Sequence, residues 1–302
     1  MRHPVVMGDS TLDAMGAAFA RFDNVDGRLV VLAIICQLLG SVCHARAWAN
    51  LLSAARPDSR FPRGAVLCAH LAGVAGNAVV PAHAGDAAKV MLIRRIAPGT
   101  PVATIVTTLV MLTAVDVVLG GSALLATAST SLGPAVPHPT ATNALLAAGV
   151  ALAAGTAVYL ARRRLSGVLT HVREAAALLA DPRRFFREAV TWQVGAWLAR
   201  VAVAFVALHA FGLPASLLDA VLVVVVTGLA GVIPFLPGGV GAQQAMLVYA
   251  LHRTASAASV VAFGVGMQLG VTLVDLTVGV IALMITFRTL ALRGVLRAGR
   301  PA

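Results

Sequence analysis

The stretch LLDAVLVVVVTGLAGVIPFLPGGVGAQQAMLVYAL, residues 217–251, decides how the chain folds. Residues 217–233 are an apolar run carrying one charge, Asp219, and 242–251 are a second apolar piece ending at His252 and Arg253. Between them, IPFLPGGVG at 233–241 places two prolines and three glycines where no continuous helix tolerates them. Pro234 and Pro237 stop the incoming helix, while Gly238, Gly239 and Gly241 leave backbone N–H groups free to point in many directions. Irregular backbone at membrane depth is tolerated only where it is buried in protein or lines a wet cavity. The stretch reads as two half-helices meeting at a Pro/Gly break. The positive end of the half-helix from Ala242 suits an anion such as a lipid phosphate. The simpler explanation of the break is a tight turn between closely packed helices.

The rest of the chain supports a membrane setting. Of 302 residues, 59% are apolar or aromatic and 12% are charged, and the mean hydropathy is +0.89. A soluble domain is about a quarter charged and about half apolar, so that class is excluded, and so is disorder. Apolar residues run continuously instead of alternating, which excludes a barrel. The formal charge of +11 sits in short loops between apolar runs, the pattern of positive-inside topology and not of nucleic-acid binding. Cys36, Cys43 and Cys68 form no CxxC pair and read as small buried hydrophobes. Residues 1–28 carry four Asp and no apolar core of a signal peptide. They are read as an N-terminal segment, interfacial or disordered.

Charge orients the spans. The run 29–52 is followed by the basic loop 53–63, and 101–128 by the uncharged loop 129–142. Beyond the span 143–161 comes a connector, 162–188, with seven Arg against three carboxylates, net +4. Its DPRRFFRE suggests an amphipathic interfacial helix. The span 189–211 follows the connector, and 257–287 leads into a tail, 288–302, bearing four Arg. Basic loops inside and the uncharged loop outside put the N-terminus outside and make 64–97 a hairpin that begins and ends in the cytoplasm, turning at Pro81–Gly85. The hairpin 217–251 begins and ends outside. Two hairpins of opposite orientation are the signature of an inverted-repeat transporter. The expected architecture is thus an all-α integral membrane protein with about six full spans plus two re-entrant helical hairpins. The first membrane repeat covers 29–128 and the second 189–287. A shared V-D-x-x-x-G string, AVDVVLG around Asp116 and LVDLTVG around Asp275, falls in the span after each hairpin.

Several polar residues stand in these apolar surroundings. Asn77, His83, Asp86 and Lys89 cluster in the first hairpin, with Asp86 and Lys89 three apart on one helix face. Asp116, Arg200 and Asp275 lie within spans, where ionisable groups are costly and functional by default. They are assigned as gating or intramembrane charges. An interhelical salt bridge, Arg200 with one of the two Asp, is the structural alternative. Metal-ligand spacings, nucleophilic triads and dinucleotide fingerprints are absent from the sequence, so no catalytic residue, metal or cofactor is expected.

GNAVVPAHAGDAAKVMLIRR at 76–95 resembles the N-x-x-x-P-x-R-x-G-E-x-x-R motif of the lysylphosphatidylglycerol synthase transmembrane (flippase-like) family. IPFLPGGVGAQQAML at 233–247 resembles its second motif, P-x-x-P-G-G-x-G-x-x-E, and the likeness spans about residues 28–290. The resemblance implies translocation of a phospholipid or polyprenyl-linked lipid between leaflets of the plasma membrane, with an anionic or phosphate-bearing headgroup. The substrate-binding residues it implies are Asn77, Pro81, Gly85, Asp86, Lys89, Pro237, Gly238, Gly239 and Gly241, and His83 and Gln244, at the motif's changed positions, complete the candidate set. His83 replaces the family's usual Arg and Gln244 its usual Glu, and Leu112 and Thr113 stand where a Glu-Arg pair is often found. Those replacements favour a second expectation, a non-transporting accessory subunit for a lipid-modifying or glycosyltransferase enzyme. Without an aminoacyl-transferase domain after residue 290, synthase activity is not expected.

Overall fold

A computed structural model describes residues 25–79, 84–130, 181–230 and 242–298. They form eight principal helices and, among the described residues, no strand. These are α1 (Gly27–Ala55), α2 (Arg63–Val79), α3 (Ala84–Ile96), α4 (Val102–Thr130), α5 (Thr191–Ala210), α6 (Leu217–Ala230), α7 (Ala242–Ala250) and α8 (Ala257–Ala298). Four stretches are long and apolar enough to cross a membrane: Gly27–Ala55, Val102–Leu124, Arg183–Ala210 and Ala257–Arg288. The expected span 143–161 and most of the connector lie outside the described residues, and six spans are not reached within them.

Local signals set the helix ends. Asp26 caps α1 by accepting from Arg28 N at 2.8 Å. At α6, Ser216 and Asp219 cap each other: Asp219 accepts from Ser216 N at 2.8 Å, and Ser216 Oγ accepts from Asp219 N at 3.3 Å. Gly212, with φ of 68°, closes α5. It adopts the left-handed conformation that lets Leu213 N reach Leu208 O at 3.0 Å and Gly212 N reach His209 O at 2.9 Å. The DPRRFFRE segment departs from expectation. Its described part is a short helix, Pro182–Phe185, and a π turn, Phe186–Val190, which run straight into α5. Asp181 caps this lead-in through Arg184 N at 3.1 Å, so the apolar helix extends back to the basic residues instead of starting anew. The last helix also differs, running ten residues past Arg288 into the basic tail.

The helices pack in two sets of four. One apolar core joins α1 to α4 around Trp48, Leu52, Val66, Ile93 and Ile105. A second joins α5 to α8 around Leu208, Val223, Leu247, Leu251 and Phe263. Exchanging α1 with α5, α2 with α6, α3 with α7 and α4 with α8 carries every substantial helix–helix contact onto another one: α2–α8 onto α6–α4, α1–α2 onto α5–α6, α1–α4 onto α5–α8. The pair α1–α5 maps onto itself and is the most extensive contact.

These two helices are antiparallel along their whole length. Asp26 N donates to Ala210 O at 3.3 Å at one end, and Asn50 Nδ2 donates to Glu188 O at 2.7 Å at the other. Between the ends small residues bring the backbones close. A Cβ on Gly40 would meet Ala199 Cβ at 3.2 Å, and one on Gly195 would meet Cys43 Sγ at 3.4 Å. Large apolar side chains point outward along α1 (Val31, Ile35, Leu39), α4 (Val117, Val118) and α8 (Leu273, Met284). Such a belt needs a nonaqueous surrounding.

Candidate functional site

The two sets of helices line an open cavity of about 490 Å³. Each helix contributes to its wall: Gln37, Ser41 and His44 from α1, His70 from α2, Lys89 from α3, Asp116 from α4, Arg200 from α5, Thr227 from α6, Gln243 from α7 and Gln268 from α8. The volume lies within the range of small-molecule sites, about 300–1,000 Å³.

The first hairpin builds one end of the wall. Helices α2 and α3 run antiparallel, and Gly85 sits so close to Gly73 O and Asn77 that no side chain fits there. Asn77 Oδ1 accepts from Gly85 N at 2.8 Å, and Asn77 Nδ2 donates to Asp86 Oδ1 at 3.5 Å. Lys89 then pairs with Asp86 at 2.8 Å while its stem lies over Gly73. The structure thus joins Asn77, Gly85, Asp86 and Lys89 into one network. Lys89 is 8% exposed and reaches the cavity wall. Arg94 and Arg95 lie exposed in the last turn of α3, where cations favour the helix dipole. Pro81 and His83 lie outside the described residues, as do Pro237, Gly238, Gly239 and Gly241.

The span charges are tied across the halves. Arg200 Nη2 donates to Asp116 Oδ1 at 2.8 Å, the salt bridge anticipated as the structural alternative, and both residues also line the cavity. Asp275 does not line it. Its Oδ1 accepts from Gln37 Nε2 at 3.0 Å beside a smaller apolar cavity of about 110 Å³. On α7, Gln244 lies against Gly264 of α8, its Oε1 buried without a hydrogen-bond partner among the described residues, and the neighbouring Gln243 takes the place on the cavity wall.

Sequence reasoning passed over an imidazole pair. His44 and His70 stack with ring centroids 4.6 Å apart, and Gln193 Nε2 lies 3.2 Å from His44 Nδ1. His70 is 7% exposed, and among the described residues its Nδ1 has no hydrogen-bond partner. The signal was available: both histidines stand in apolar stretches, and the rule applied to Asp116, Arg200 and Asp275 covers histidine as well.

Among the described residues no three His, Cys, Asp or Glu side chains converge as metal ligands. The family model described as Lysylphosphatidylglycerol synthase TM region matches residues 11–291. Neither a curated protein nor a solved structure matches the chain.

Proposed function

The chain belongs to the lysylphosphatidylglycerol synthase TM region family, and from that premise we propose that it moves a phosphate-bearing lipid between the leaflets of the plasma membrane without chemically altering it. The observation that carries the reading is the cavity lined by all eight helices, where two oppositely running halves meet. Re-entrance of the second hairpin is supported by Thr254, just after α7, which donates to Asp219 at the start of α6 at 3.1 Å.

In this reading the headgroup enters the cavity while the acyl chains stay in lipid between helices. Lys89 and Arg200 supply cations to the phosphate, each kept in place by its carboxylate. The halves rock about the α1–α5 axis, exposing the cavity to each leaflet in turn. Asp116 and Asp275 act as the groups whose cross-half bonds hold or release a state.

The test is leaflet exchange. Purified protein in liposomes carrying fluorescent phospholipids is treated with a membrane-impermeant quencher. Quenching of about half the label in empty liposomes and nearly all of it with protein supports transport; equal quenching in both overturns it. The accessory-subunit reading is favoured by Leu112, which is 1% exposed in the apolar core where the family often carries charge. It predicts no exchange and capture of a lipid-modifying enzyme.

A further inference from the structure

We infer that the cavity selects a hydroxyl-rich headgroup, a polyol or sugar, over one bearing an amine. This deepens the transport reading and rests on it for the identity of the occupant as a lipid. The charges that line the cavity are already neutralised: Lys89 pairs with Asp86 at 2.8 Å and Arg200 with Asp116 at 2.8 Å. With the phosphate on Lys89 and Arg200, an incoming ammonium would have to draw Asp86 or Asp116 away from its cation to find a carboxylate.

The neutral wall is different. Ser41, His70, Gln243 and Gln268 line the cavity, and none of their side chains makes a hydrogen bond to the rest of the protein among the described residues. Gln243 and His70 line the cavity and are only 5% and 7% exposed, so little of either meets open solvent. Imidazole, amide and hydroxyl groups each offer a donor and an acceptor, as do the hydroxyls of a polyol. Buried polar groups that lack a partner favour a ligand that supplies one, and reject an analogue that does not.

The test uses two lipids of equal net charge and one phosphate each, phosphatidylinositol and phosphatidylserine with matched acyl chains. The phosphate then cancels from the comparison. The full chain, purified in detergent, is equilibrated with both in equal amounts, and retained lipid is counted by mass spectrometry. Retention of phosphatidylinositol at least about fivefold above phosphatidylserine, the worth of one good hydrogen bond, is expected. The double variant Gln243→Leu/Gln268→Leu should bring the ratio to about one with an unchanged melting temperature. Parity, or preference for phosphatidylserine, in the unmodified protein overturns the inference even if the variant fails to fold. Leaflet exchange is measured separately. Selective retention with no exchange of either lipid would sink the transport reading and leave the headgroup preference standing.

Discussion

Arg200 on α5 donates to Asp116 on α4 across the two halves of the chain, at 2.8 Å. Under the exchange that relates the halves, α5 maps to α1 and α4 to α8, and there Gln37 donates to Asp275 at 3.0 Å. Each half therefore holds the aspartate of the other through its first long helix. One of the two bonds joins opposite charges, whereas the other has a neutral donor.

That difference sets the cost of removing a partner. Asp116 and Arg200 open on the cavity, their side chains 26% and 41% exposed, so water screens the pair. Asp116→Asn and Arg200→Gln should each cost about 1 kcal/mol, below the roughly 3–5 kcal/mol of a fully buried pair. The double variant should cost less than the sum of the two. Thermal melting in detergent, arranged as a double-mutant cycle, reads the coupling. Strict additivity would mean that the bond contributes nothing.

At Asp275 the bond and the charge separate cleanly. Asp275→Asn keeps an acceptor for Gln37 Nε2, and stability should change by less than about 0.5 kcal/mol. Asp275→Leu leaves that donor unpaired and should cost about 1–3 kcal/mol. If the charge works in gating, exchange falls at least about tenfold in the Asn variant despite its intact fold. Unchanged exchange would make Asp275 a structural residue.

The antiparallel register of α1 and α5 has its own check. A Cβ built on Gly195 lies 3.8 Å from Cys43 Cβ, the mean separation across a disulfide, about 3.8 Å. In a Cys36→Ser/Cys68→Ser background, Gly195→Cys should form one intramolecular bridge with the native Cys43 on mild oxidation. Peptide mapping would identify it. Failure to form while both thiols remain alkylatable would contradict the register.

The hairpins are read from clustered prolines and glycines, Pro81 to Gly85 and Pro234 to Gly241, and those turns lie largely outside the described residues. The V-D-x-x-x-G strings also expose the repeat, since they fall on α4 and α8, which the exchange of halves carries onto each other. The partners of those aspartates are another matter. Gln37 and Asp275 are 238 positions apart, and a neutral glutamine in an apolar run carries no sign of its mate. Gln243 and Gln244 show a further limit. Motif spacing places a polar side chain at the start of α7, but helix phase against α8 decides which glutamine enters the cavity.

The glycines of the repeated string are equivalent by sequence and unequal in surroundings. A Cβ on Gly279 of α8 would collide with Ala75 and come within 2.8 Å of Leu71 O on α2. On Gly120 of α4 it would meet nothing within 4 Å among the described residues, although α4 faces α6 as α8 faces α2. One seam is therefore packed at its glycine and its counterpart is open. If the halves exchange conformations during transport, Gly120 must pack in the other state as Gly279 does in this one. Gly279→Ala should then destabilise the present state by about 1–3 kcal/mol through overpacking. Gly120→Ala should leave it unchanged or stabilise it by about 0.5–1 kcal/mol through helix propensity. In the other state that methyl would obstruct the closing seam, and Gly120→Leu would do so more strongly. A loss of leaflet exchange in Gly120→Leu, with melting temperature retained, is the expected outcome. Full exchange in Gly120→Leu would show that the α4–α6 seam never closes, and rocking about α1–α5 would have to be abandoned.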